Sequence, residues 1–321
     1  MKAQIISMLV LSSLFVYAQR LIPASVRIEV KDDTGAPVTN AVVTGCFLDD
    51  SRSGASDRFC GSTDVDGTFS AQGMTMLGVY IRLTKEGYYQ TKHSQDLKAI
   101  QRPDGKGPTR PPRWDVAVPV LLKRVRNPIP MRIAVNRNPY VSAYGEKGKY
   151  CLDRTSCYDL VKGSFLPPYG DGVVPDIVFE WRMSIFATNK VGRAIEYDTR
   201  CTILMTNVVD GVCKGRPDGD ESGQSGSAFI SDYKAPDGGY TKAVSFYRNV
   251  RGTKAESNDD RHHLYYFRIR TQTNEQGQVT HALYGKIHGQ LNGNFTCYLN
   301  PTPEDRNVEH DQKRSVLINK W

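Results

Sequence analysis

Apolar side chains recur at every second position through much of this chain, and no long stretch repeats at the 3.6-residue period of a helix. Val26, Ile28 and Val30 alternate with Arg27, Glu29 and Lys31, and Ile177, Phe179, Trp181, Met183 and Ile185 alternate with Val178, Glu180, Arg182, Ser184 and Phe186. Period two is the signature of a strand with one covered face. Cys201, Ile203 and Met205 share one face of a further strand. Residues 264–271 and 279–287 flank Asn274-Glu275-Gln276-Gly277, a hairpin turn. The expected fold class is all-β.

The first 18 residues read as a leader. Lys2 gives a positive start, residues 5–16 form a short apolar run, and Tyr17-Ala18 supplies a small residue at a cleavage point. The run is too short to cross a bilayer, which takes about 20 apolar residues. Cleavage after Ala18 would leave 303 residues (321 minus 18), enough for two domains. The expected location is exported, periplasmic or extracellular, without membrane insertion after cleavage.

Export makes the seven cysteines disulfide candidates. Cys46 and Cys60 bracket a polar segment, Cys151 and Cys157 are neighbours, as are Cys201 and Cys213, and Cys297 is left over. Spacing alone leaves the connectivity open. No Cys-x-x-Cys pair is present, which argues against zinc, and no metal or cofactor is expected. The net charge of +8 is spread along the chain, as on a mildly basic solvated surface. No helix-turn-helix, zinc-finger or RNA-binding pattern is present, so nucleic acid is not an expected partner.

Within residues 24–124 the order Val26-x-Ile28-x-Val30-x-Asp32, Gly35-x-Pro37-Val38-x-Asn40-Ala41-x-Val43, Thr63-Asp64-x-Asp66-Gly67-x-Phe69, Leu77-x-Val79-x-Ile81 and Lys85-Glu86-Gly87-Tyr88 resembles the carboxypeptidase regulatory-like domain. The resemblance implies a seven-stranded, transthyretin-like β-sandwich with an accessory role and no catalytic residues. The hydroxyisourate hydrolases, an enzymatic branch of related fold, end in a Tyr-Arg-Gly-Ser tail that is absent here. Residues 90–113, rich in Pro, Gly and charge, depart from the pattern as a long surface loop, and 125–130 read as a proline-containing linker. Residues 131–321 are expected to form a second β-sandwich or jelly-roll-like domain. There, Leu283-Tyr284-Gly285-Lys286-Ile287 and Tyr298-Leu299-Asn300-Pro301 are similar to the C-terminal halves of uncharacterised exported bacterial proteins, which brings no activity.

Several groups can be weighed as chemistry. Gly223-Gln224-Ser225-Gly226-Ser227 resembles the nucleophile turn of chymotrypsin-fold serine peptidases, with Ser225 as nucleophile. Such a serine needs a base, and the one histidine before it is His93, outside the peptidase context. His262, His263, His281, His288 and His310 lack the spacing of a metal site on strands, since neighbours and residues seven apart face opposite ways. Asp64-Val65-Asp66-Gly67 starts like a calcium loop, but Thr75 stands where the closing Glu belongs, and a β-turn accounts for it. Aromatic rings bind sugars by stacking and anchor protein interfaces. Tyr88, Tyr89 and Trp114 beside the long loop, and Tyr265 and Tyr266 near the hairpin, are the candidate binding residues, although the same residues would also fill a core. The functional expectation is an exported, non-catalytic binding or structural protein with a polysaccharide or envelope protein as partner. The alternative is a secreted serine hydrolase using Ser225.

Overall fold

The computed structural model describes residues 22–48, 57–75, 77–97, 100–101, 108–110, 115–136, 144–145, 149–150, 153–190, 192–217, 225–258 and 264–319. Residues 1–18, expected as a leader, and Trp114, Cys151, His262, His263 and residues 218–224 lie outside them. Every regular element among the described residues is a strand, and no helix there is long and apolar enough to cross a membrane. Those residues group into two compact units, one drawn from 22–84 and 93–120, the other from 85–92 and 121–319.

The first unit holds β1 (Ile22–Asp32), β2 (Val42–Leu48), β3 (Arg58–Ser62), β4 (Thr68–Thr75), β5 (Gly78–Thr84), β6 (Thr91–Asp96), the short β7 (Ile100–Gln101) and β8 (Pro108–Arg110), and β9 (Asp115–Leu122). Seven of these make two sheets, in the orders β4-β1-β9 and β6-β5-β2-β3. The alternation read from the sequence decides which side chains go inside: Val26, Ile28 and Val30 are buried, as are Val43, Phe47, Val79, Ile81 and Leu83. Each such side chain contributes roughly 1.5–3 kcal/mol through burial. The sheets meet where the Phe47 ring lies against Gly73, at which a Cβ would come within 2.3 Å of it. Asp64 accepts the amides of Asp66 (3.0 Å) and Thr68 (2.8 Å), so its carboxylate closes a β-turn, with Gly67 at φ 73°.

The second unit holds β10 (Arg132–Asn136), β11 (Tyr144–Gly145), β12 (Lys149–Tyr150), β13 (Asp153–Asp159), β14 (Ser164–Phe165), β15 (Ile177–Thr188), β16 (Ala194–Met205), β17 (Gly211–Gly215), β18 (Gly226–Ser227), β19 (Ala243–Arg251), β20 (Lys254–Ser257), β21 (Leu264–Thr273), β22 (Val279–Gly289), β23 (Phe295–Leu299) and β24 (Val316–Leu317). Two six-stranded sheets dominate it, β17-β21-β22-β23-β10-β24 and β14-β13-β15-β16-β19-β20. Ile177, Phe179, Cys201, Ile203 and Phe246 of one sheet pack on Tyr265, Phe267, Ile269, Ile287 and Phe295 of the other. The first of these sheets is covered on its second face too. Segments 229–241 and 300–310 lie over Leu264, Tyr266, Ala282 and Tyr284, adding Ala235 and Val308 to that layer.

A bulge in β21 places Arg270 at φ 53°, with Asp210 accepting the amides of Arg270 and Thr271. The Arg270 guanidinium then bridges two buried carboxylates, Asp159 at 3.0 Å and Asp176 at 3.1 Å. Burial pushes the Asp176 carboxyl up against the opposing pull of Arg270. At Asp159 burial acts the same way but is outweighed by the amides of Lys162, Val174 and Val173 together with Arg270, so that carboxyl stays below its usual range.

Three expectations require correction. The cysteines at 46, 60, 157, 201, 213 and 297 are not joined in disulfides. Cys46 lies opposite Arg58 and Cys60 opposite Thr44, a diagonal pair about 7–8 Å apart where a disulfide needs Cβ atoms about 4 Å apart. Cys201 sits between the two sheets whereas Cys213 packs with the layer on the other face, so these two do not meet. Segment 125–130 is not a free linker: Glu309 accepts the amides of Arg126 (2.8 Å) and Asn127 (2.6 Å), and the Ile129 amide bonds to the Glu309 carbonyl. The stretch 90–113, expected as loop, contains β6 and the β7–β8 ribbon, polar strands whose composition hides them from a hydrophobic pattern.

Candidate functional site

The hairpin β13–β14 and the turn that follows it frame a pocket of about 380 Å³ in the second unit. Asp159 organises both turns. Its Oδ1 accepts the amides of Val161 (3.0 Å) and Lys162 (2.9 Å), and its Oδ2 those of Val173 (3.1 Å) and Val174 (3.0 Å). Gly163, at φ 66°, lets the hairpin approach β10: a Cβ there would lie 2.5 Å from that of Ala134. Asn319 closes the third side. Its side-chain amide accepts from the Val135 amide and donates to the Val135 carbonyl, both at 3.0 Å, and donates to the Gly163 carbonyl at 3.2 Å.

Tyr158 forms the floor, 1% exposed, its ring edge-on to Phe165 at 5.0 Å and Phe295 at 5.7 Å. Its hydroxyl is buried and has no hydrogen-bond partner among the described residues. Burial holds that phenol well above its ordinary value, so it is a neutral donor. At the rim Tyr169 is 41% exposed, with the Arg154 guanidinium 4.1 Å from its ring centre. Lys162 and Asp171 add an exposed charge of each sign, and the Asp171 amide bonds the Ser164 hydroxyl at 3.2 Å. Ring faces, a hydroxyl, carboxamides and one charge of each sign suit a polyhydroxylated ligand rather than bond cleavage. Among the described residues no group of three His, Cys, Asp or Glu side chains is placed to hold a metal ion.

A second polar cluster lies under segment 229–241. Lys286 and Ser231 are both 0% exposed, and the lysine Nζ donates to the serine Oγ at 2.8 Å. The Nζ also sits 4.4 Å from the centre of the Phe229 ring and 5.3 Å from that of Tyr298, and Lys123 donates to the Ser231 carbonyl at 2.8 Å. The His310 and His288 rings lie tilted against Tyr298, each with its centre 4.8 Å away. A serine beside an amine is the pairing that activates a hydroxyl nucleophile, yet both groups are wholly enclosed and no substrate reaches them.

The residues expected to bind are not gathered in either place. Tyr265 and Tyr266 are 3% and 1% exposed, and the Tyr266 hydroxyl accepts from the Asp232 amide at 2.8 Å. Both are core, because β21 is covered on its two faces, and neither presents a ring to a ligand. Tyr89 is half-buried, stacked on Phe229 at 4.9 Å with its hydroxyl on Glu309 at 2.8 Å. Tyr88 lies between Lys85 (5.5 Å) and Arg124 (5.3 Å). Ser225 precedes β18, in which Gly226 and Ser227 pair with Lys92 and Thr91, and the preceding part of its turn lies outside the described residues. His281 sits 3.8 Å from Glu304. The pocket residues were missed because they come from positions 136–171 and 318–319. The local signal was Phe165-Leu166-Pro167-Pro168-Tyr169-Gly170-Asp171-Gly172, an aromatic turn dense in Pro and Gly.

No protein-family model matches the chain, and no curated protein matches it. Among solved structures it is similar to the major pilin subunit BcpA of Bacillus cereus, at 12% identity over 92% of this chain and 98% of that one, with a TM-score of 0.23. A DUF3823 family protein from Parabacteroides merdae matches at 9% identity over 90% and 98% of the two chains, TM-score 0.21. Hydroxyquinol 1,2-dioxygenase from Pseudomonas putida matches at 15% identity over 32% of this chain, TM-score 0.25, and the chain spans 57% of the dioxygenase. Likenesses of this size assign no activity.

Proposed function

We propose that this chain is an exported, non-catalytic binding protein that takes a saccharide in the pocket beneath Tyr169. The first unit would serve as an accessory sandwich, in the manner of the carboxypeptidase regulatory-like domains that residues 24–124 resemble. The observation that carries the reading is the exposed Tyr169 ring at the rim of a pocket that Lys162, Ser164, Asp171 and Asn319 also line. The face of Tyr169 away from Arg154 supplies the stacking surface for a sugar ring. A volume of about 380 Å³ suits one or two sugar rings.

The test is a glycan array followed by calorimetric titration of the full chain with the best ligand. Tyr169→Ala should weaken binding by about tenfold or more, whereas Tyr158→Phe, which alters only an enclosed hydroxyl, should bind like the parent with thermal stability unchanged or raised. An array without a hit, or Tyr169→Ala binding like the parent, overturns the reading.

A further inference from the structure

The outer face of the sheet β14-β13-β15-β16-β19-β20 carries a second constellation, separate from the pocket beneath Tyr169. Phe179, Cys201 and Phe246 point to the core, so residues of the opposite parity face outward. Three cross-strand rows result: Glu180–Thr202–Ser245, Arg182–Arg200–Tyr247 and Ser184–Asp198–Asn249. The middle row sets two arginines directly opposite each other, about 5 Å apart at Cβ, where like charges destabilise a sheet. Arg182, Arg200 and Tyr247 are all exposed, and neither guanidinium has a hydrogen-bond or ion-pair partner among the described residues.

The surrounding acids do not neutralise this pair. Asp198, one row away, is held by Arg251 through two contacts, 2.9 Å and 3.0 Å. Glu180 stands in the row on the other side, opposite Thr202. The backbone register brings Asp153 of β13 opposite Arg182 on its far flank, and leaves Arg200 between Arg182 and Tyr247. A groove of about 400 Å³ runs over Arg182, Arg200, Ser184, Tyr247 and Asn249, and the Asp198 carboxylate held by Arg251 lines it too. It therefore combines two forked cations, an aromatic ring, a hydroxyl and a carboxamide with one carboxylate that Arg251 already pairs.

We propose that this groove binds an acidic saccharide, with Arg182 and Arg200 on a carboxylate or sulfate and Tyr247 against the sugar ring. Guanidinium groups match such anions in bidentate geometry, and an anion between them relieves the repulsion that the register imposes. Ser184 and Asn249 then meet ring hydroxyls.

The experiment titrates the full chain with a galacturonate trisaccharide, a sulfated galactose trisaccharide and neutral galactotriose, at low and high salt. The acidic probes should bind about tenfold or more tightly than the neutral one, as charge-assisted hydrogen bonds require, with the preference shrinking in salt. Whichever acidic probe binds better identifies the anion. The double variant Arg182→Gln/Arg200→Gln should lose the preference while its melting temperature holds or rises, and Tyr169→Ala should keep it. Equal binding of acidic and neutral probes, or a preference that survives the double variant, overturns the proposal. All binding, acidic and neutral alike, lost in Tyr169→Ala and kept in the double variant would overturn the groove while leaving the pocket beneath Tyr169 intact.

Discussion

The amine of Lys286 donates to the hydroxyl of Ser231 at 2.8 Å in a space from which solvent is absent on both sides. Burial, with the neighbouring Lys123 charge, pushes the amine from 10.5 down to about 7. An unfolded chain thus holds a proton on this lysine between pH 7 and 10.5 that the folded chain has released. Stability must rise with pH across that window, and the penalty is complete below it. Lys286→Met removes the dependence. Urea unfolding should show the parent gaining up to about 4 kcal/mol on the variant between pH 7 and 10, at 1.36 kcal/mol per pH unit. Parallel curves for the two proteins would mean that the amine stays charged in the fold.

The same cluster predicts acid sensitivity. Burial first, and Lys286 second, lower His310 from 6.5 to about 4. The folded state prefers the neutral ring, so its stabilising contribution is whole above pH 6.5 and lost as the pH falls to about 4. His310→Phe keeps a ring against Tyr298 and cannot take up the proton. It should lose about 3 kcal/mol less than the parent over that interval, measured by denaturant unfolding at each pH.

Arg270 tests the price of burying two carboxylates. Removing the guanidinium strands Asp159 and Asp176, and with Asp159 go four amides that shape the pocket beneath Tyr169. Arg270→Ala should cost about 3–5 kcal/mol. Arg270→Gly should cost about 1 kcal/mol less, because φ 53° is strained for any side chain with a Cβ. If glycine is no better than alanine at this position, the left-handed backbone is not where the bulge is held.

Strand alternation made most of the second unit's sandwich legible in advance. Residues 177–186 lie in β15, and the expected hairpin around residues 274–277 joins β21 to β22. What alternation could not convey is whether the second face of a sheet is covered. Leu264-Tyr265-Tyr266-Phe267 held the clue, since an unbroken apolar run marks a strand buried on both sides. Read as exposed rings, Tyr265 and Tyr266 became binding candidates instead. Lys286 was hidden for the same reason: its side of β22 looks solvated until segment 229–241 is laid over it. The pocket depends on Asn319 meeting Val135 and Gly163, contacts between positions more than 150 apart, for which no local pattern exists.

The thiols provide the last test, because β-sheet register and disulfide formation exclude one another here. Cys46 and Cys60 share a face of the β2–β3 pair but stand two residues out of step. Bringing them opposite requires β3 to slip by two positions, which would keep the parity of every side chain and is therefore the slip that hydrophobic patterning resists least. The observed register instead places Ser62 opposite Val42 and Gly61 opposite Val43, with the Phe69 ring packed against Gly61. In this register Cys60 is exposed and Cys201 and Cys297 are buried. Burial raises the Cys297 thiol far above its usual value, so its reactive thiolate is suppressed as well as shielded. Alkylation of the native protein with iodoacetamide, read by peptide mass spectrometry, should label Cys60 within minutes and Cys201 and Cys297 only after denaturation. A native Cys60 that resists label until a reductant is added would show that β3 occupies the slipped register, with the 46–60 bond formed.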